Sequence, residues 1–156
     1  MPENKFNELK SVVSELREKC PWDKKQTFQS LRSLTIEEVY ELSDAIINEE
    51  AKEIEEEAGD LLLHVLFYAK LGEEKKLFSI NTIIEKLIKK LKERHPHIYG
   101  NLIVNSSEEV EANWEKIKKE KRHSKKTLSN ISSKIPPLVK AMRIQEKVKT
   151  VGFDWD

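Results

Sequence analysis

The chain has 156 residues, 38% hydrophobic and 36% charged, with only four Gly and five Pro, the composition of amphipathic helices in one domain of ordinary size rather than of a turn-rich sheet. Net charge is zero but unevenly spread: residues 37–60 hold eleven Asp/Glu against one Lys, while residues 86–126 hold twelve Lys/Arg against six Glu. A lone Cys20 excludes an intrachain disulfide, and no apolar run or h-region suggests a membrane span or signal peptide, so a cytoplasmic, membrane-free protein is expected.

Phe6, Leu9, Val12, Val13 and Leu16 recur at helical spacing and predict a first helix ending near Cys20-Pro21. The segment CPWDKKQTFQSL that follows lacks periodicity and reads as a loop or short helix, with Trp22 packed against the bundle. Thr35 is the expected N-cap of the next helix, which places Glu38 at N3 of a capping box and offers that carboxylate a purely structural role. Yet Glu38 and Glu41, three residues and about 60° apart on the helix, flank the apolar stripe of Leu42, Ala45 and Ile46. Carboxylates in that position are costly unless paired or metal-bound.

A second acidic helix is expected from about Ala51 to Leu71. Along it Glu53, Glu57, Asp60 and His64 form one stripe bordered by Ile54, Leu61 and Val65. Glu55 and Glu56 read as a solvated face; Asp60, a poor helix former set directly before LLLHVLFYA, does not. His64 is expected to be a structural histidine beside the core. Ser79 then caps the helix with the clearest core pattern, Ile80, Ile83, Ile84, Leu87, Ile88 and Leu91, and Pro96 ends it. Lys90 and Arg94 share one side of that helix. Arg94, His95 and His97 lack the companions of a zinc site and suit an anion contact or a basic helix end.

Ser106 and Glu109 form another capping box, opening a helix through Trp114 and Ile117 into the basic run KIKKEKRHSKK. That run has little aromatic interleaving, so no specific nucleic-acid partner is expected. Residues 123–137 read as a linker and 138–148 as a further helix. Four isolated glycines match neither phosphate-binding loop pattern, so a phosphorylated ligand would be held by metal, Lys and Arg.

EEVYE followed by EAGDLLLHVLFYA resembles the paired acidic signature of the MazG-type nucleoside triphosphate pyrophosphohydrolases, members of the all-α NTP pyrophosphatase superfamily. CPWDKKQTFQSL, RHPHIYG, EEVEANWEKIKKEK and KAMRIQEKVKTVGFDW resemble further family segments in the family's order, covering nearly the whole chain. The resemblance implies an all-α helical bundle and Mg²⁺-dependent hydrolysis of a nucleoside triphosphate to the monophosphate and pyrophosphate, with Mn²⁺ as a substitute ion. Carried over by motif, the catalytic metal ligands are Glu38, Glu41, Glu57 and Asp60. Lys90 and Arg94 would contact the triphosphate and Trp114 the nucleotide; beyond the resemblance, Lys118 is a further candidate substrate contact and Glu37 or Glu53 a candidate to orient the water. A homodimer is also implied. Domain boundaries on this reading are a catalytic domain at 1–122, a linker at 123–137, and a helix at 138–156 leading into the start of a second MazG-type repeat. The alternative is a catalytically weak nucleotide-binding or dimerisation domain of a tandem protein.

Overall fold

A computed structural model describes residues 2–121, 131 and 136–149. Among them there are helices and no strands: α1 (Pro2–Lys19), a 3-10 turn (Asp23–Lys25), α2 (Phe28–Ile47), α3 (Ala51–Glu74), α4 (Ile80–Arg94), α5 (Pro96–Tyr99), α6 (Ser107–Lys121) and α7 (Pro137–Lys149). No described helix is long and apolar enough to cross a membrane. Most of the expected 123–137 linker and the terminal GFDWD lie outside the described residues. The chain divides into two compact units, residues 1–88 and 89–156.

In the first unit α2 and α3 are the principal packed pair, with α1 laid on α3. The core is Val13 of α1, Leu31 of α2, Leu66, Phe67, Ala69 and Leu71 of α3, and Ile80 at the start of α4. Both long helices stop in the same way. After α2, Glu49 adopts φ 57° and after α3 Lys76 adopts φ 55°. Beyond each, an N–H reaches back five residues, Glu50 to the Ala45 carbonyl and Leu77 to that of Gly72. This left-handed stop reverses the chain within three residues and folds α3 back along α2.

The second helix begins earlier than the sequence suggests. Its N-cap is Thr27, which exchanges hydrogen bonds with Ser30, while Thr35 lies inside the helix. The Thr35 hydroxyl bonds the Leu31 carbonyl and the Tyr68 hydroxyl of α3, 2.8 and 2.6 Å away. A β-branched hydroxyl residue that can satisfy itself on the preceding turn need not start a helix. Glu38 is therefore in the third turn of α2 and does no capping. Ahead of Thr27, Arg17 donates to the Asp23 and Gln26 carbonyls and, through two parallel bonds of 2.9 Å, to Glu74. That clamp buries Asp23 and Gln26 and leaves Trp22 57% exposed, contrary to the packed role expected of it.

Two other expectations hold in part. Ser79 caps α4 through reciprocal bonds with Thr82, but of the apolar stripe only Ile80 is buried, and Ile84, Leu87, Ile88 and Leu91 are exposed. In the second unit, Glu109 N–H donates to Ser106, while the Glu109 carboxylate accepts from Asn105 rather than from the cap residue itself.

Candidate metal centre

The acidic residues divide sharply once the hairpin is formed. Glu38 and Glu41 of α2 and Glu57 of α3 each offer an oxygen within 4.8 Å of the other two. Three residues along α2 bring the first pair to one face, and the tight reversal at Glu49 brings α3's carboxylate opposite. Asp60 stands outside this set of three, although its negative charge acts on Glu38 and Glu57. Glu37 and Glu53, candidates to orient a water, are exposed.

None of the three forms an ion pair with another of the described residues. Burial, followed by the charges of Asp60, Glu41 and Glu57, pushes the Glu38 carboxyl up to about 7. Glu57 is raised too, first by burial and then by Glu41 and Asp60. Its Oε2 is buried with no hydrogen-bond partner among the described residues, an expensive state for an atom that accepts so readily. Like charges gathered at the edge of a core with an orphaned acceptor are poorly explained as structure. A divalent cation relieves all of these penalties together, and an all-oxygen donor set suits a hard ion.

His64, one turn beyond Asp60, is buried at 7% exposure and its Nδ1 has no hydrogen-bond partner among the described residues. Burial pulls the imidazole below its ordinary value, against the opposing charge of Asp60. It is beside the core as expected, and is not among the gathered oxygen donors.

The basic residues named from the sequence fall in the second unit. There Arg94 lies over the Trp114 ring at 5.6 Å, and His95 packs between Trp114 and His97 at ring separations of 6.2 and 5.6 Å. Lys90 is exposed, and the side chain of Lys118 lies outside the described residues. His95 Nδ1 contacts the Leu91 carbonyl at 2.7 Å, which ties that ring to its own helix. The residue the sequence left unmarked is Arg17. Its tie to Glu74 spans 57 positions, and no local pattern announces it.

A helical chain that turns three carboxylates from a hairpin into one small volume presents an oxygen cluster that could hold a cation. Residues 26–99 match the model of the MazG nucleotide pyrophosphohydrolase domain, a span containing all four acidic positions. The chain is similar to proteins of the MazG family. It is similar to a nucleoside triphosphate pyrophosphohydrolase of Escherichia coli strain K12, 40% identical over 97% of this chain and 60% of that one. It is also similar to the nucleoside triphosphate pyrophosphohydrolase/pyrophosphatase MazG of Thermotoga maritima, 42% identical over 96% of this chain and 59% of the relative. This chain thus spans about three fifths of these curated relatives. Among solved structures, a mazG-related protein from Thermotoga maritima superposes with TM-score 0.62 at 26% identity, covering 72% of this chain and 98% of the other.

Proposed function

We propose that the chain hydrolyses nucleoside triphosphates to nucleoside monophosphate and pyrophosphate with Mg²⁺, or Mn²⁺ in its place. The observation that carries this reading is the set of Glu38, Glu41 and Glu57 oxygens gathered within 4.8 Å, inside the segment that matches the family model. These three, with Asp60, would hold the ion. When bound, Mg²⁺ lowers the pKa of coordinated water and neutralises phosphate oxygens.

In the reaction a water oxygen bonds to the α-phosphorus and the bond from that phosphorus to the α–β bridging oxygen breaks, so pyrophosphate leaves with the electron pair. The water's proton passes to bulk solvent or to a nearby carboxylate. By motif alone, Lys90 and Arg94 are proposed as contacts to the triphosphate, with Trp114 and Lys118 as further nucleotide contacts. A nucleotide substrate suits a cytoplasmic location. A homodimer is supported by apolar side chains that one copy leaves uncovered, among them Val39, Tyr40 and Ile46 on α2 and Leu62 and Val65 on α3.

Incubation with a panel of triphosphates and Mg²⁺, read by ³¹P NMR, should give pyrophosphate rather than orthophosphate. Glu38→Ala and Asp60→Ala should each abolish the signal, and full turnover in both variants would remove the assigned site. Mg²⁺-dependent binding without product would instead identify a nucleotide-binding domain with little catalysis of its own.

A further inference from the structure

His64 carries an unexplained cost. Its ring is 7% exposed, and Nδ1 is buried with no hydrogen-bond partner among the described residues. The helix offers a ready partner that the ring does not use. His95, elsewhere in the chain, contacts the carbonyl four residues back through the same nitrogen, whereas His64 makes no such contact with Asp60. Long side chains on a helix lean toward its N-terminus, over the residues three and four positions earlier. For His64 these are Leu61 and Asp60. The Asp60 carboxylate is close enough for its charge to act on the imidazole.

Asp60 has the complementary defect. It shares a face of α3 with Glu57, and its charge acts on Glu38 and Glu57, yet its oxygens are not drawn into the set that Glu38, Glu41 and Glu57 form. The carboxylate missing from the cluster and the buried nitrogen missing a partner are one helical turn apart.

We propose that His64 is the positioning residue for Asp60: its imidazole N–H holds the Asp60 carboxylate turned toward the Glu38, Glu41 and Glu57 oxygens, completing a four-carboxylate cation site. The inference rests on the metal reading given above and adds a residue to it. A neutral ring is the form this role needs, since a neutral donor fixes the carboxylate without cancelling its charge. Burial favours that form. Hydrogen bonds from outside the ligand set commonly govern how a ligand is aimed, and losing one commonly costs 10- to 100-fold in metal affinity.

The test is Mn²⁺ binding by calorimetry, without nucleotide, on the full chain. His64→Leu should weaken Mn²⁺ by about 10- to 100-fold, while His64→Gln, which keeps an N–H donor, should stay within about 3-fold of the native chain. In an Asp60→Asn background His64→Leu should add no further loss. Circular dichroism and thermal melting of each variant separate a folding defect from a binding defect. Native affinity in folded His64→Leu, equal losses in His64→Leu and His64→Gln, or additive losses with Asp60→Asn would each overturn the proposal. Absence of Mn²⁺ binding by the native chain would overturn the metal reading and this inference with it. Binding that Glu57→Gln abolishes and His64→Leu leaves unchanged would overturn the inference alone.

Discussion

The two ends of α3 treat their carboxylates in opposite ways. At the C-terminal end Glu74 sits where the helix dipole disfavours an anion, and Arg17 compensates with two bonds of 2.9 Å that hold the carboxyl below its ordinary range. Toward the N-terminal end Glu57 and Asp60 have no such cation among the described residues, and Glu57, like Glu38 across the hairpin, is driven upward. One end closes its electrostatics among the described residues, and the other leaves them open. The difference separates paired from unpaired carboxylates on a single helix, where composition shows only a run of acids.

The largest effects should come from neutralising the open end. On the proposed metal reading, Glu57→Gln is expected to reduce turnover by more than about 100-fold, since loss of a ligand exceeds the loss of a residue that only supports one. The same change should raise the melting temperature of the metal-free protein, because it removes a charge repelled by Glu41 and Asp60. Opposite signs on turnover and stability mark a site held against the fold's own preference. Loss of both together would class Glu57 with Glu74.

The glycines of α3 repeat the contrast. A Cβ on Gly72, near the closed end, would lie 2.6 Å from Phe78 ring atoms and 2.8 Å from its carbonyl oxygen, while one on Gly59 meets nothing within 4 Å. Gly72→Ala should therefore cost about 2–3 kcal/mol, the backbone oxygen leaving little room for relief. Gly59→Ala should stabilise by about 0.5–1 kcal/mol through helix propensity. Equal melting temperatures would mean that Phe78 yields. Arg17→Ala comes next, at about 1–2 kcal/mol, because it leaves Glu74 unpaired and removes the donor to the Asp23 and Gln26 carbonyls. Urea unfolding of these variants orders the effects directly.

Much of this was legible in the residues themselves. Glu38-x-x-Glu41 and Glu57 could be read because a three-residue spacing fixes a shared helical face, and a carboxylate beside an apolar stripe stands out against the solvated Glu55 and Glu56. What covers an apolar stripe could not be read: the pattern from Ile80 to Leu91 is the most regular in the chain, yet only its first member is buried. Periodicity reports a face and is silent about its partner. Thr35 misled because N-cap residues also satisfy themselves inside helices, and the true cap at Thr27 uses Ser30 in place of the usual Glu or Gln. Exposed Trp22 and the Arg17–Glu74 tie depend on packing between distant segments, which no local rule carries.

The smallest expected effect is the dependence of stability on pH, and here the two ends should be separable by sign. Glu38, raised from 4.5 to about 7, binds more protons folded than unfolded, so its contribution is fully present below about 4.5 and is lost as pH rises toward 7. Glu74, held below its ordinary value, contributes stability above that value and loses it as pH falls. In metal-free buffer the melting temperature should thus decline on both sides of mildly acid pH. Glu38→Gln should flatten the neutral side by roughly 2–4 °C, with Glu57, raised in the same direction, preserving part of the decline. Arg17→Ala should flatten the acid side alone. Mg²⁺ added to the native chain should flatten the neutral side as Glu38→Gln does, because a bound cation and a removed charge relieve the same repulsion. If Glu38→Gln and the native chain fall in parallel from pH 5 to 8, the open end is not the source of the neutral decline, and the contrast between the ends of α3 loses its electrostatic basis.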